Sequence, residues 1–236
     1  MMIKKLKMNI KKIKFLHFII FLMIFIFNGC ATIVYKTIPL RNIAKAKGPY
    51  FVGTQNFQFV DASRKMWFSD DIKGSRKLSV KMWYPTDNIT SLKKAPYLNK
   101  HKLIGSAISK LFGIPEALMD RAGGVKCNSW LNAVPANGKF PIIIYSHGHQ
   151  SIKIANTSQA EEMASNGYIV VAMDHSYDAA LTILDEDKII YSRSKLPAND
   201  EEALQDSMIK RVKNQLKIRT EDVSFVIDEL KIIFEK

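Results

Sequence analysis

A chain of 236 residues, 47 % hydrophobic and 24 % charged, has an ordinary globular composition and a length that suits one domain rather than two. Its formal charge of +13 is uneven: six lysines precede Cys30 with no acidic residue among them, which leaves +7 on the remainder. That modest excess favours anionic surfaces such as phospholipid headgroups. No interleaved basic and aromatic stripe is present, which argues against a nucleic-acid partner.

The first thirty residues read as an address. After Lys4, Lys5, Lys7, Lys11, Lys12 and Lys14 comes an unbroken run from Phe15 to Phe27 with only His17 to interrupt its apolar character. As a helix it would span ~20 Å, short of the ~30 Å of a bilayer core. A basic head, a short apolar stretch and a small-residue exit make a secretory signal. The exit, Phe27-Asn28-Gly29-Cys30, resembles a bacterial lipoprotein signal in which the Cys thiol receives lipid. It departs from that pattern at Phe27 and Asn28, so a plain signal peptide or an uncleaved anchor stays open. The expectation is a signal over 1–29, lipidation at Cys30, a tether over 30–50, a domain over 51–236, and export to the cell envelope. Cys127 is the other cysteine. With no nearby His or Gly-rich helix start, it reads as a small buried hydrophobe rather than a nucleophile.

Along the domain, Phe57 to Asp61 suggests a first strand. Lys77 to Tyr84 alternates, with Leu78, Val80, Met82 and Tyr84 on one face, and Pro85 ends it. The two strands are expected as an antiparallel pair at the edge of the sheet. Residues 101–121 carry a weak amphipathic pattern broken by Gly105 and Gly113, which suits packing, a cover over a site, or contact with a membrane. Phe140 to Tyr145 is a short continuous apolar run, as in a strand buried on both faces. Asn156 or Thr157 can cap a helix closed by Asn166-Gly167, and Tyr168 to Met173 follows as a second buried strand. Strand, helix, glycine turn and strand form a βαβ unit, so these two strands should be parallel. Residues 200–235 are helical, with stripes of Leu204, Met208, Val212, Leu216 and of Val223, Val226, Leu230. A break is expected near Arg219, with Thr220 as a second cap.

Loops at the carboxyl ends of parallel strands are where α/β sheets place their chemistry. Two are visible: Ser146-His147-Gly148-His149-Gln150-Ser151 and Asp174-His175-Ser176-Tyr177-Asp178. The stretch from Phe140 through Ser146-His147-Gly148 resembles the strand and oxyanion loop of the platelet-activating-factor acetylhydrolase family of α/β-hydrolases, plasma type. So do Asn156 through Asp174-His175, Val80 through Pro85, Ala95 to Leu98, and Arg219 to Leu230. The resemblance spans roughly residues 55–230 and implies an α/β-hydrolase fold with a mostly parallel sheet, of which this chain holds the N-terminal strands and helices. It also implies a serine esterase that needs no cofactor and acts on short-acyl phospholipids or similar lipid esters. Within that resemblance, the amide of His149 would be one oxyanion donor. Gly148 would permit the turn, and His147 would order the loop.

The nucleophile elbow of such enzymes needs Gly-x-Ser-x-Gly, followed by an acid and a histidine. No such pentapeptide occurs here, and Ser146 fails because Ile144 stands two residues before it. The triad serine, acid and histidine have no matching positions, so the 236 residues by themselves are expected to be inactive. Asp174, His175 and Asp178 read as structural or pocket-lining. An apolar sheet edge should be left uncovered. The rivals are a non-catalytic lipoprotein with a binding role and a zinc hydrolase. The latter would use His147, His149 and Asp174-His175, but the His-x-His-x-Asp-His pattern of such sites fails at Ser151 and Ile152. No metal is expected.

Overall fold

The computed structural model describes His17 and residues 43–66, 73–193 and 201–235. Apart from His17, the run expected as a signal lies outside the described residues, as does Cys30. The chain divides into two units, residues 1–41 and 42–236, and the second holds the fold.

Its centre is a six-stranded sheet in the order β3-β4-β1-β2-β6-β5. The strands are β1 (Phe51–Lys65), β2 (Ser75–Thr86), β3 (Lys94–Pro96), β4 (Lys126–Leu131), β5 (Ile142–Ser146) and β6 (Ile169–Asp174). Four helices accompany it: α1 (His101–Phe112), α2 (Glu116–Ala122), α3 (Thr157–Ser165) and α4 (Glu201–Phe234). A small hairpin of β7 (Leu181–Ile183) and β8 (Ile189–Tyr191) follows β6. The α/β class is as expected, but the sheet is mixed. β5 pairs in parallel with β6, and β4 with β1, whereas the β1–β2, β2–β6 and β3–β4 pairings are antiparallel. β1 and β2 form a hairpin, as expected, yet they lie in the interior of the sheet. The difference comes from β4, a polar six-residue strand that periodicity did not reveal, which adds outside β1.

Each face of the sheet is covered, and β2 shows how the sequence arranges it. Leu78, Val80, Met82 and Tyr84 share a face, as their alternation predicts, and pack with Val171, Met173, Val226 and Leu230 beneath α4. Trp83, on the other face, packs with Val52, Val170, Ala160 and Ala164 beneath α3. Pro85 does not end the strand, because Val52 and Phe51 still pair opposite Pro85 and Thr86.

Two helix signals, the cap of α3 and the break in α4, are resolved differently from expectation. Neither Asn156 nor Thr157 caps α3 with its side chain; the Thr157 hydroxyl donates back to Ile154 O at 2.7 Å. Gly167, at φ +91°, supplies the left-handed turn out of α3 that glycine adopts without penalty. In α4 the expected break is absent, because the Thr220 hydroxyl donates to Leu216 O at 2.8 Å inside a continuous helix. Val212 and Leu216 of the first stripe are exposed, while Val226 and Leu230 of the second are core. The 101–121 segment is two helices, and Gly113 at φ +65° ends the first. Among the described residues no helix is long and apolar enough to cross a membrane.

The last part of the expected tether is docked. Tyr50 N–H donates to Ser165 O, Gly48 N–H to Ser165 Oγ and Lys47 N–H to Glu162, while Ala44 O accepts from Asn128. Gly48 is required by this approach, since a Cβ there would lie 2.1 Å from Ser165 O. Gly48→Ala should therefore release the segment from α3 and destabilise the chain by about 1–3 kcal/mol. The check is limited trypsinolysis, in which cleavage after Lys45 and Lys47 should accelerate in the variant.

Candidate active-site region

The two loops named by sequence stand side by side at the carboxyl ends of the parallel pair β5 and β6, as their register requires. Each carries one non-glycine residue in the left-handed region, Gln150 at φ 51° and Tyr177 at φ 68°. Backbone strain of this kind persists only where surrounding contacts enforce it.

Tyr177 O accepts from Arg193 N–H at 2.8 Å, and α4 holds both loops. Arg219 Nη1 donates to His147 O at 2.6 Å and its Nε donates to Asp178 Oδ2 at 2.6 Å, so a single guanidinium ties both loops to the helix. Asp178 also accepts from Gln215 at 3.0 Å. In the second loop, Asp174 accepts from the Lys153 amide and ammonium, each at 2.6 Å. Asp174, His175 and Asp178 are all buried and partnered, as structural residues should be.

His147 is fully buried, and its tautomer can be read from its partners. Nε2 accepts from the His175 N–H at 3.3 Å, so Nδ1 carries the proton that is donated to Gly148 O at 2.7 Å. Burial lowers its pKa below 6.5, against the opposing bond to Gly148. With both nitrogens engaged, His147 has no lone pair to offer a metal. Among the described residues no group of three or more His, Cys, Asp or Glu could hold one.

Gly148 is exposed, its φ is not positive, and a Cβ there would meet nothing within 4 Å. The left-handed step of the turn falls on Gln150 instead, so the expected reason for a glycine at this position is corrected. No described residue accepts from the amides of Gly148 or His149, while Gly148 O accepts from Ser151 N–H at 3.1 Å. The loop therefore presents exposed N–H groups at the edge of the sheet.

Sequence reasoning missed one constellation. Ser146 Oγ lies 2.9 Å from His175 Nε2, and His175 Nδ1 lies 2.8 Å from Asp222 Oδ2. Asp222 belongs to α4, 47 positions from His175, and spacing alone gave no sign of the contact. Its carboxylate also accepts from Arg76 through Nε at 3.0 Å and Nη2 at 2.6 Å, and from Arg64 Nη1 at 2.8 Å. Burial would raise the Asp222 pKa, but hydrogen bonds from His175 and Arg76 outweigh it and hold the group at about 2. The ionised carboxylate keeps the His175 proton on Nδ1, leaving Nε2 to accept the Ser146 hydroxyl. The connectivity is that of a serine nucleophile's relay. The carboxylate of that relay is shared with two guanidinium groups, Arg64 and Arg76. The relay holds Ser146 at the root of the first loop. Cys127 is inert by its surroundings, since burial pushes its thiol up to about 12.

A sheet with α3 and α4 on opposite faces, a βαβ unit and two loops meeting at its carboxyl edge are the frame of an α/β-hydrolase. The chain resembles a ferulic acid esterase from Streptomyces cinnamoneus, with a TM-score of 0.61 and 26 % identity over 80 % of this chain and 48 % of that one. It is 25 % identical over 144 residues to the platelet-activating factor acetylhydrolase of Gallus gallus, covering 58 % of this chain and 31 % of that protein. The model of the family described as platelet-activating factor acetylhydrolase, isoform II, matches residues 36–235, and the chain belongs to that family. It spans about a third of the Gallus gallus protein and about half of the esterase.

Two outcomes test this geometry. Asp222→Ala leaves Arg76 buried without its carboxylate and should cost on the order of 3–5 kcal/mol in urea unfolding. For His147, the folded pKa lies below the unfolded value of 6.5, so the unfolded chain binds more protons as pH falls. Stability should therefore decline as pH drops from about 6.5 through the folded value, and His147→Gln should flatten that decline. Denaturation midpoints measured across this range supply the check.

Proposed function

We propose that the protein hydrolyses short-acyl phospholipids or similar lipid esters by a serine mechanism without a cofactor. In this reading the described residues supply its oxyanion loop, with the His149 amide as one donor. The observation that carries the reading is the pair of unengaged N–H groups on the loop after β5, held by Arg219 and the buried His147. Such donors stabilise the negative oxygen of a tetrahedral intermediate only if they are fixed before it forms. Family membership over residues 36–235 supports ester hydrolysis.

The outer edge of β5 pairs with no described strand. Ile142 (45 % exposed), Ile144, Ile227, Leu230 and Phe234 line a groove of about 530 Å³ beside it. This apolar edge accepts one more parallel strand, the position for a Gly-x-Ser-x-Gly elbow that residues 1–236 do not contain. On their own, these residues are catalytically silent in this reading. Lipidation at Cys30 would hold the domain at a membrane, next to its substrate.

A second reading rests on the Ser146–His175–Asp222 relay, which could itself form an acyl-serine. One experiment separates the two. The purified 236-residue chain should not hydrolyse p-nitrophenyl acetate above buffer, and a fluorophosphonate should leave Ser146 unlabelled by mass spectrometry. Phosphonate-sensitive turnover with label on Ser146 would establish the second reading. In the native protein from its source cells, His149→Pro removes the donor and should lower kcat by about 10²–10³-fold with little change in KM. An unchanged kcat would refute the oxyanion role.

A further inference from the structure

Lys81 is a charged residue of β2 whose burial no described acceptor satisfies. It follows Val80 and precedes Met82, so strand alternation turns it away from α4 and toward the covered face beneath α3. It is 3 % exposed and makes no hydrogen bond or salt bridge with any described residue. Its ammonium lies 5.1 Å from the Trp83 ring centroid. The charged groups around it are already engaged. Glu161 accepts from the Asn128 side chain and from the Ser129 amide and hydroxyl. Lys153 donates to Asp174 at 2.6 Å and to Ser79 at 2.9 Å. The Cys127 thiol, with its pKa at about 12, stays neutral. Burial lowers the Lys81 pKa, because a buried cation without an acceptor is costly, and an anion from outside the chain would hold the charge in place.

Space for one is present. Lys81, Lys153, Asn56, Tyr97, Asn99 and Asp174 line a cavity of about 60 Å³. It adjoins an outer cleft of about 200 Å³ that shares Asn56, Asn99, Ile104 and Lys153. Water alone could occupy so small a space, but the lining offers donors that no described residue uses. The amides of Asn56 and Asn99, the Tyr97 hydroxyl and the Lys81 ammonium have no partner among the described residues. The only carboxylate, Asp174, is taken by Lys153. A lysine ammonium with unused amide and hydroxyl donors beside it suits the several oxygens of a phosphate group.

We propose that this cavity is a phosphate-group site, with Lys81 as the buried counter-ion and Asn56, Asn99 and Tyr97 as its hydrogen-bonding wall. The group is either free phosphate or the phosphodiester of a phospholipid headgroup, and the site stands apart from the esterase reading. The cavity floor includes Ile152 and Ile154, three and five residues after His149, so an occupant would touch the same loop that carries the exposed amides.

Equilibrium dialysis of the full 236-residue chain against inorganic phosphate tests it, with sodium chloride and acetate at matched ionic strength as controls. Saturable phosphate binding is expected, with a matching rise in thermal midpoint that neither control reproduces. Lys81→Met should weaken the binding at least roughly tenfold. Asn99→Leu fills the cavity and leaves β2 untouched, and it should weaken binding likewise, so the test survives a loss of fold in Lys81→Met. Dihexanoyl-phosphatidylcholine below its micellar threshold distinguishes the sources. Displacement of bound phosphate assigns the headgroup, and its failure assigns free phosphate. Phosphate binding no stronger than chloride, or unchanged in Asn99→Leu, overturns the proposal.

Discussion

The carboxylate of Asp222 is the point at which the layers of this domain are joined. It is fully buried in α4, and it accepts from Arg76 of β2, from Arg64 of β1 and from His175 of the loop after β6. Arg76 continues outward, donating to Met66 O at 2.8 Å and Ser176 O at 2.9 Å. One ion thus binds a helix, a hairpin and a functional loop into a single polar network under an otherwise apolar face. Within it the carboxylate and the Arg76 guanidinium are met on several sides, although Arg64 Nη2 is buried without an acceptor, and an unpaired charge in low dielectric is far more costly than a paired one is helpful. Asp222 thereby fixes α4 against the β1–β2 hairpin and against the loop that follows β6.

From that point the loops inherit their order. His175 is oriented by Asp222 and in turn orients Ser146, while its backbone N–H fixes the tautomer of His147. Arg219, one turn before Asp222 on the same helix, grips His147 O and Asp178. The same two loops carry left-handed backbone at Gln150 and Tyr177. Preorganisation of exposed amides is what oxyanion stabilisation requires. In the proposed reading it would follow from helix α4 rather than from the loop's own sequence.

Much of the frame was legible before the structure. The apolar runs of β5 and β6, the intervening helix and Gly167 were enough to place a parallel pair, because a βαβ crossover admits little else. The alternation of β2 was also legible, since a strand's period of two assigns each residue to a face. The position of the β1–β2 hairpin within the sheet was not. Lys126-Cys127-Asn128-Ser129-Trp130-Leu131 has neither a clear alternation nor an apolar run, because Ser129 is buried by its bond to Glu161 rather than by hydrophobicity. Thr220 looked like a cap because its chemistry permits one, and the helix used the same hydroxyl internally.

The candidate site divides in the same way. The sequence by itself determined which loops lie at the carboxyl edge and that they carry Gly148 and His149, because strand order and loop position follow from local periodicity. It also determined that no Gly-x-Ser-x-Gly lies among these residues. Only the tertiary structure decided that Ser146, His175 and Asp222 meet, that Arg219 ties both loops, and that Lys81 is enclosed without an acceptor. Each of these depends on contacts between residues far apart in the chain, and charge pairing across such distances leaves no periodic trace. Hydrophobic pattern is written locally along a chain; the partners of its buried charges are chosen only when the layers close.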